Sequence, residues 1–318
     1  MNGLRLSSDE TELTVSLGDV ELVRYVYMPP EPQLESPRPY FHPVRTLGGE
    51  LVTLYRPHDH VWHKGIALSL PNVERLGDPH EHENFWGGVT YLRDAGYRQL
   101  PNNGAMRHRE FRHQHDSPQL VHLTHELDWF SQRGERWVDE LRSFAITVAE
   151  EAWVLSYATR VTNVSGATLR FGSPTTQGRP NAGYGGLFWR GPRSFSGGTV
   201  LVPGQAGGDE LMGTTAPWLG FTGRHDGWGG ASSLVFVSDP AGPPDRWFVR
   251  SEIYACICPA PFFDTEVDLP DGESLQLRYA VVVADGAADP TDAARFADIG
   301  ADALGRLDLL RRDREGVR

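Results

Sequence analysis

Histidines are concentrated in one part of the chain, and their spacing is compatible with acid–base chemistry. Six of the twelve lie within the first 82 residues: His42, His58, His60, His63, His80 and His82. A neutral imidazole can accept a proton, bind a metal or hydrogen-bond a hydroxyl group. In the run RPHDHVWHKG, Asp59 could orient a neighbouring imidazole through a carboxylate–histidine hydrogen bond. We therefore interpret His63 and His60 as the candidate acid and base, with Asp59 orienting one of them.

A second segment, HEHENFWGG, follows at residues 80–88 and combines an amide with aromatic rings. Ring faces can stack on the C–H groups of a sugar, and amides bind hydroxyl groups. Two glycines at its end, Gly87 and Gly88, allow a ligand to approach the backbone closely. This segment is typical of a polyol site, with Asn84 and Trp86 as candidate contacts.

The third segment is rich in glycine and covers residues 177–192. It has no phosphate-loop signature and no strand–helix context, so it is better interpreted as a binding loop. Its arginines, Arg179 and Arg190, could hold a carboxylate or a pair of hydroxyl groups, and Trp189 precedes the second of them.

Acid–base work on a substrate also calls for a carboxylate. Glu140 and Arg142 lie on one face of a predicted strand, and Glu252 lies in a segment that is otherwise mostly apolar. Either carboxylate could oppose the imidazoles, or both could form structural ion pairs. No GxSxG elbow occurs, and neither cysteine has a histidine nearby in sequence, so a serine or cysteine nucleophile has no support.

The elements that must position these residues are predicted to be strands. Apolar and polar residues alternate at the period of a strand in eight segments: 13–17, 21–27, 120–130, 137–148, 153–161, 232–237, 247–257 and 275–283. Dense turns are expected from 35 Gly and 23 Pro. One helix is predicted at about 290–312, with a capping residue at Asp289. We therefore predict an all-β fold: a large antiparallel β-sandwich, formed as a single domain over residues 1–318, with one C-terminal helix.

The composition excludes several classes of partner. A formal charge of −12 disfavours nucleic acid and anionic membrane surfaces. No apolar run approaches the ~20 residues of a membrane span, and the first residues lack a secretory signal, so a cytoplasmic protein is expected. Two cysteines, Cys256 and Cys258, allow no disulfide framework and are expected to be buried thiols. The pattern leaves a monomer and a homodimer equally open.

Several motifs together resemble an uncharacterised bacterial family known as PmoA. They are RPYFHPV at 38–44, DHVWHKG at 59–65, NFWGG at 84–88, GYGGLFWRGP at 183–192, WFVRSE at 247–252 and LRY at 277–279. The family name implies a subunit of a membrane methane monooxygenase, and the lack of a spanning segment argues against that role. The strand pattern is similar to the β-sandwich of galactose mutarotase-like proteins. That similarity implies a histidine and a carboxylate acting on a pyranose at the concave sheet face, by analogy of fold.

These observations favour a carbohydrate-active enzyme that transfers a proton on a sugar or sugar derivative, as an epimerase, mutarotase or lyase does. We expect a small-molecule carbohydrate as the partner and no cofactor. The candidate substrate-holding residues are His42, Trp62, Asn84, Trp86, Arg142, Trp189 and Arg190. One alternative is a sugar-binding or sensor protein without catalysis. Another is a metal-dependent enzyme using His58, His60, His63, His80 or His82, although their spacing matches no strict zinc signature.

Overall fold

The computed structural model describes residues 3–77, 80–149, 151–227 and 229–315. Within these ranges the first eleven strands are β1 (Leu4–Ser8), β2 (Glu12–Leu17), β3 (Val20–Val26), β4 (Tyr40–Val44), β5 (Ile66–Ser69), β6 (Asn72–Arg75), β7 (Glu81–Glu83), β8 (Thr90–Leu92), β9 (Gly96–Arg98), β10 (Ala105–Ser117) and β11 (Leu120–Phe130).

The later strands are β12 (Arg136–Ala149), β13 (Ala152–Asn163), β14 (Leu169–Gly172), β15 (Gly186–Arg190), β16 (Thr199–Val202), β17 (Gln205–Gly207), β18 (Trp218–Arg224), β19 (Ala231–Ser238), β20 (Trp247–Arg250), β21 (Cys256–Pro259), β22 (Val267–Leu269) and β23 (Ser274–Asp285). A helix, α1 (Pro290–Glu315), follows them. Three 3₁₀ turns cover Gln33–Glu35, Arg193–Phe195 and Asp209–Leu211.

Two large sheets face each other. One has eight strands in the order β1-β2-β3-β4-β5-β15-β21-β20, and the other has nine in the order β10-β11-β12-β13-β23-β19-β18-β16-β17. Side chains from both sheets meet in one buried cluster, for example Leu68 and Trp189 from the first and Phe144 and Val281 from the second. The predicted antiparallel β-sandwich is confirmed.

Strand β23 is buried on both of its faces, and its sequence shows why. Its residues Leu277, Tyr279, Val281 and Val283 belong to the cluster between the sheets. The alternate residues, such as Val282, pack instead with α1 on the outer face of the nine-stranded sheet. Successive side chains of a strand point to opposite faces, so an apolar run fills both layers.

Helix α1 begins at the predicted place. The Asp289 carboxylate accepts hydrogen bonds from the backbone N–H groups of Thr291, at 2.7 Å, and Asp292, at 2.9 Å. Phe296 and Leu304 are buried against the sheet. No helix in the described ranges is long and apolar enough to cross a membrane.

One predicted strand is wrong. The segment 247–257 is not continuous, because β20 and β21 form an antiparallel hairpin in which Arg250 pairs with Cys256. Residues 251–255 are the loop of that hairpin. The polar run of Arg250, Ser251 and Glu252 interrupts the apolar pattern at the point where the chain reverses.

Candidate functional site

A cavity of about 470 Å³ opens at the end of the eight-stranded sheet where the loop before β5 meets the β20–β21 hairpin. It is lined by His60, Trp62, His63, Trp86, Val89, Tyr97, Arg179, Tyr184, Phe248, Arg250, Ile253 and Tyr254. Four of the residues predicted to work together, His60, Trp62, His63 and Trp86, are thus brought to one place.

Local backbone geometry holds the two histidines together. The backbone N–H of His63 donates to the carbonyl of His60 at 2.9 Å, and the N–H of Arg56 donates to the carbonyl of His63 at 3.0 Å. Gly65 ends the loop with φ +56°, and a Cβ there would lie 2.2 Å from the Phe41 carbonyl oxygen. The imidazoles of His60 and His63 consequently stack, with ring centroids 4.7 Å apart.

The two glycines of the NFWGG motif support a protein side chain. Gly88 has φ +67°, and a Cβ there would lie 2.6 Å from ring carbons of Trp62. A Cβ on Gly87 would lie 2.6 Å from Cβ of the same residue. From the sequence we expected a ligand to lie against these two glycines. In the structure Trp62 occupies that space, and its indole forms part of the cavity wall.

Aromatic rings form much of the remaining wall. The ring of Trp86 lies 4.6 Å from that of Tyr184 and 4.6 Å from that of Phe188, between centroids. The hydroxyl groups of Tyr97 and Tyr184 are hydrogen-bonded at 2.9 Å. Ring faces combined with a few polar groups suit the C–H faces and hydroxyl groups of a sugar.

Both imidazoles in the cavity are held neutral. His63 is 2% exposed, and burial lowers its pKa well below the ordinary value, with the charges of Arg190 and Arg38 acting in the same direction. Burial also lowers the pKa of His60, although Asp59 opposes this. The Nδ1 atom of His63 is buried without a hydrogen-bond partner. At neutral pH each ring can therefore accept a proton.

Asp59 lies at the outer side of His60. One carboxylate oxygen is 3.3 Å from His60 Nδ1, and the other accepts a hydrogen bond from Arg193 at 2.7 Å. Burial alone would raise the pKa of Asp59, but hydrogen bonds from its own backbone, Arg193 and His60 outweigh burial and lower it to about 2. The ionised carboxylate favours the His60 tautomer that carries its proton on Nδ1, leaving Nε2 as the acceptor.

Arg190 is buried beside the cavity at the end of β15. It is 1% exposed, and its guanidinium carbon lies 3.9 Å from the ring centroid of Tyr254. Its backbone N–H donates to the carbonyl of Gly65 at 2.8 Å, which ties β15 to the histidine loop. Its Nε and Nη1 atoms have no hydrogen-bond partner, and it forms no ion pair with any residue in the described ranges.

Glu140 and Arg142 do not line the cavity; they lie between the two sheets. The Glu140 carboxylate accepts hydrogen bonds from Arg142 at 2.7 and 2.9 Å, from Trp129 Nε1 at 2.7 Å and from the Thr159 hydroxyl at 2.7 Å. Arg142 also donates to the Tyr25 hydroxyl at 3.1 Å. Of the two interpretations left open by the sequence, this geometry matches a structural ion pair.

Two other predicted contacts act as supports. The Trp189 indole is buried in the core and donates from Nε1 to the Val52 carbonyl at 2.8 Å. The Asn84 side-chain oxygen accepts hydrogen bonds from the backbone of Trp86 at 2.8 Å and Gly87 at 2.9 Å. Neither lines the cavity, but Asn84 fixes the turn that carries Trp86.

The remaining candidates lie elsewhere. His42 Nδ1 lies 2.9 Å from the Thr53 hydroxyl, and its ring stacks on Tyr55. Glu252 is exposed on the hairpin loop, where its backbone N–H lies 3.3 Å from Asp209 Oδ1. The structure thus does not bring either residue to the histidine pair.

The five histidines of the metal hypothesis are not gathered at one point. His58 lies 3.1 Å from an Arg193 nitrogen, His80 pairs with Glu74 at 3.3 Å, and His82 is in β7. No group of three or more His, Cys, Asp or Glu side chains in the described ranges is placed to hold a metal ion. Both cysteines are buried, and burial raises the pKa of Cys256 to about 12.

Sequence reasoning missed much of the cavity wall: Tyr97, Tyr184, Phe248, Arg250, Ile253 and Tyr254. Phe248, Arg250, Ile253 and Tyr254 meet the histidine loop because β15, β21 and β20 follow β5 in the sheet order. Tyr184 lies just before β15, and Tyr97 comes from β9 in a separate two-stranded sheet. The polar interruption at residues 250–252 was the available signal for the hairpin loop that carries Ile253 and Tyr254.

Comparison with solved structures returns weak likenesses to sugar-processing proteins. A galactose 1-epimerase from Lactobacillus acidophilus is 10% identical, with 90% of this chain and 100% of that chain covered and a TM-score of 0.41. The α-galactosidase AgaB from Geobacillus stearothermophilus is 12% identical, with a TM-score of 0.41. An α-galactosidase from Lactobacillus brevis is 11% identical, with a TM-score of 0.38. These two matches include 89% and 90% of this chain but only 41% and 40% of the two galactosidase chains. At these scores the likenesses carry no information about the reaction.

No curated protein matches the sequence. A family match, by contrast, extends over residues 12–298 and so includes the histidine loop, the NFWGG motif, β15 and the β20–β21 hairpin. The chain therefore belongs to the family of unknown function DUF6807.

Proposed function

We propose that this protein is a carbohydrate-active enzyme that transfers a proton on a sugar or sugar derivative, in a reaction of the epimerase, mutarotase or lyase type. The observation that carries the proposal is the pair of neutral imidazoles, His60 and His63, stacked at 4.7 Å in an aromatic-walled cavity. Aromatic faces bind the ring of the substrate, and the imidazoles supply the proton acceptor.

The chemical step needs only groups of this chain. A C–H or O–H bond of the substrate breaks, its electron pair stays on the substrate, and the proton moves to an imidazole nitrogen. The resulting imidazolium returns the proton to a carbon or oxygen of the substrate in an epimerase or mutarotase reaction, and to the leaving oxygen as its C–O bond breaks in a lyase reaction. Asp59 stabilises the protonated form of His60, and the positive charge of Arg190 favours the negative charge that develops on the substrate.

Proton exchange with solvent tests the proposal without knowledge of the product. A panel of sugars and keto-sugars is incubated with the enzyme in D₂O, and NMR follows both the incorporation of deuterium at carbon and the interconversion of anomers, because O–H protons exchange with D₂O without a catalyst. We expect the enzyme to accelerate one of these two processes for at least one sugar, with a loss of roughly 10²–10⁴-fold in His63→Asn. His82→Gln is the matched control, because His82 is also a histidine of low pKa, about 4 through burial, but lies outside the cavity.

Undiminished exchange in both His63→Asn and His60→Asn would refute the assigned roles. Thermal unfolding of each variant checks that a loss of exchange reflects chemistry and not loss of the fold.

A second candidate, a sugar-binding protein without catalysis, has one observation in its favour. None of the twelve described lining residues is a carboxylate, and Glu140 and Glu252 lie elsewhere. Calorimetric binding of a sugar, with neither exchange at carbon nor faster interconversion of anomers, would support this candidate over the enzyme.

Other statements from the sequence stay predictions. These are membership of the family named PmoA, a single domain over residues 1–318, a cytoplasmic location, the absence of a cofactor, and the choice between a monomer and a homodimer.

A further inference from the structure

A buried cation without a partner is costly, and Arg190 is one. Of the buried arginines near the cavity, Arg38 donates hydrogen bonds to Ser69 and to three backbone carbonyl groups. Arg190 contacts the face of Tyr254, and its Nε and Nη1 atoms have no hydrogen-bond partner among the residues that the structure describes. Leaving a buried guanidinium uncompensated is strongly destabilising, so its retention indicates a role met by something outside the chain.

The surroundings of Arg190 are positive as well. Arg179 and Arg250 line the cavity, and Arg190 lies behind its wall, against the ring of the lining residue Tyr254. Arg179 donates to the Tyr97 hydroxyl and forms no ion pair with a described residue, and Arg250 lies 3.6 Å from Asp209. This excess of arginines contrasts with the formal charge of −12 on the whole chain.

The carboxylate of Asp59, whose charge acts on Arg190, already has its own partners. Asp59 is engaged by Arg193 and His60, and it is not among the lining residues. The charge of Arg190 is therefore not neutralised by any residue that faces the cavity.

We propose that the ligand of this cavity is anionic, with a carboxylate or phosphate group that Arg179 binds at the cavity wall and that the buried charge of Arg190, behind Tyr254, attracts. A planar guanidinium matches the geometry of either group and can bind it through two parallel hydrogen bonds. The inference deepens the proposed function, on which its sugar component rests: the substrate is a sugar acid or a sugar phosphate.

An anionic ligand also suits the histidine pair. The positive charge of Arg190 helps to keep His60 and His63 neutral. A bound anion offsets that charge, so it raises the pKa of both imidazoles and makes them stronger bases while the substrate is present.

Calorimetric titration with ligands that differ only in charge tests the inference. Galacturonate is compared with its neutral methyl ester and with galactose, and galactose 6-phosphate distinguishes a phosphate from a carboxylate. We expect an anionic sugar to bind at least ~10-fold more tightly than its neutral counterpart. Inorganic phosphate and acetate, titrated alone, test the anion site without any sugar.

The variant Arg190→Met removes the charge and keeps an unbranched apolar side chain. We expect it to abolish the preference for the anionic ligand while its midpoint of thermal unfolding is unchanged or higher, because a purely structural cation would lower that midpoint when removed. Arg190→Lys, which keeps the charge, should retain part of the preference even if Arg190→Met folds poorly. Arg133→Met, an exposed arginine outside the cavity, is the matched control and should behave like the wild type.

Equal binding of galacturonate and its ester, or a preference that survives in Arg190→Met, would overturn the inference while leaving sugar binding intact. If no sugar binds but phosphate or acetate does, and Arg190→Met loses that binding, the anion site stands and the carbohydrate proposal fails. If neither sugars nor simple anions bind, both proposals are overturned.

Discussion

Two sets of buried polar side chains, one between the sheets and one beside the cavity, differ in how fully their hydrogen bonds are satisfied. Glu140 accepts four hydrogen bonds, two of them from Arg142. Arg190 and His63 are equally buried, but both keep polar atoms without a partner. The sequence placed both sets among the candidate site residues, since each contains charged groups in apolar surroundings.

The difference separates a structural role from a functional one. A buried charge whose partners are complete adds to the fold, and a ligand could reach it only by displacing those partners. A buried charge that lacks partners destabilises the fold, and this cost is offset only when a ligand binds to the charge. The region between the sheets is therefore read as scaffold and the cavity as the site.

The largest expected effect is the loss of the carboxylate between the sheets. Glu140→Ala leaves Arg142 buried without a counter-charge, so we expect the free energy of unfolding to fall by about 3–5 kcal/mol. Urea denaturation measures this. Asp268→Ala, which removes a surface partner of Arg170, is the control and should cost far less. A loss below about 1 kcal/mol for Glu140→Ala would contradict the structural reading.

Buried histidines in both regions should contribute to the pH dependence of the free energy of unfolding. Burial lowers the pKa of His125, whose Nε2 lies 2.8 Å from the Tyr25 hydroxyl between the sheets, and of His63 in the cavity. Their stabilising contributions are complete above the unfolded-state pKa, about 6.5, and are lost below it, because only the unfolded chain then takes up protons. Each such histidine gives a slope of at most about 1.4 kcal/mol per pH unit.

Denaturation at pH 7.5, 6.5 and 5.5 measures that slope. His125→Gln and His63→Asn should each flatten it, and a saturating anionic ligand should flatten only the part due to the cavity. An unchanged slope in either variant would show that the imidazole concerned is protonated in the folded protein.

A smaller loss of stability is expected from a substitution at Gly88, which packs against the indole of Trp62. Gly88→Ala adds a Cβ at φ +67° and 2.6 Å from the indole, so we expect a loss of roughly 1–3 kcal/mol and weaker ligand binding. Gly96→Ala is a matched control, since Gly96 has φ +70° but nothing within 4 Å of the added atom. Equal losses in the two variants would mean that backbone strain alone, and not contact with Trp62, sets the cost.

The smallest effect on stability is expected at the cavity mouth. Ile253 is 74% exposed, so Ile253→Ser should change the free energy of unfolding by less than about 0.5 kcal/mol. It should nevertheless raise the dissociation constant of the ligand several-fold, because Ile253 lines the cavity. Met28→Ser, at an exposed residue outside the cavity, provides the comparison. Unchanged affinity in Ile253→Ser would place the ligand deeper in the cavity.

The fold was largely predictable because its strands obey a simple period. The segment 120–130 was predicted with the bounds that β11 has, and the helix after Asp289 begins where its cap predicts. Strand β10 was missed, because it lies at the edge of its sheet and carries polar and charged residues on both faces for much of its length. A search for alternating apolar and polar residues cannot find a strand that buries so few apolar side chains.

The site was predictable where its residues lie in short motifs, namely the histidine loop and the NFWGG segment that carries Trp86. His60, Trp62 and His63 lie in one loop, so their shared location follows from the chain itself. Tyr184 and Tyr254 reach them through the order of strands in the sheet, which no local pattern encodes. Glu140 was misplaced for the opposite reason: a charged residue in an apolar strand looks the same in sequence whether its partner is Arg142 or a substrate.

The hairpin loop at residues 251–255 contributes Ile253 and Tyr254 to the cavity, and neither is a paired residue of β20 or β21. Their side chains can change without disturbing strand register. Ligand preference can therefore diverge among related chains, or be redesigned in this one, by substitutions at these two residues while the sandwich beneath them stays the same.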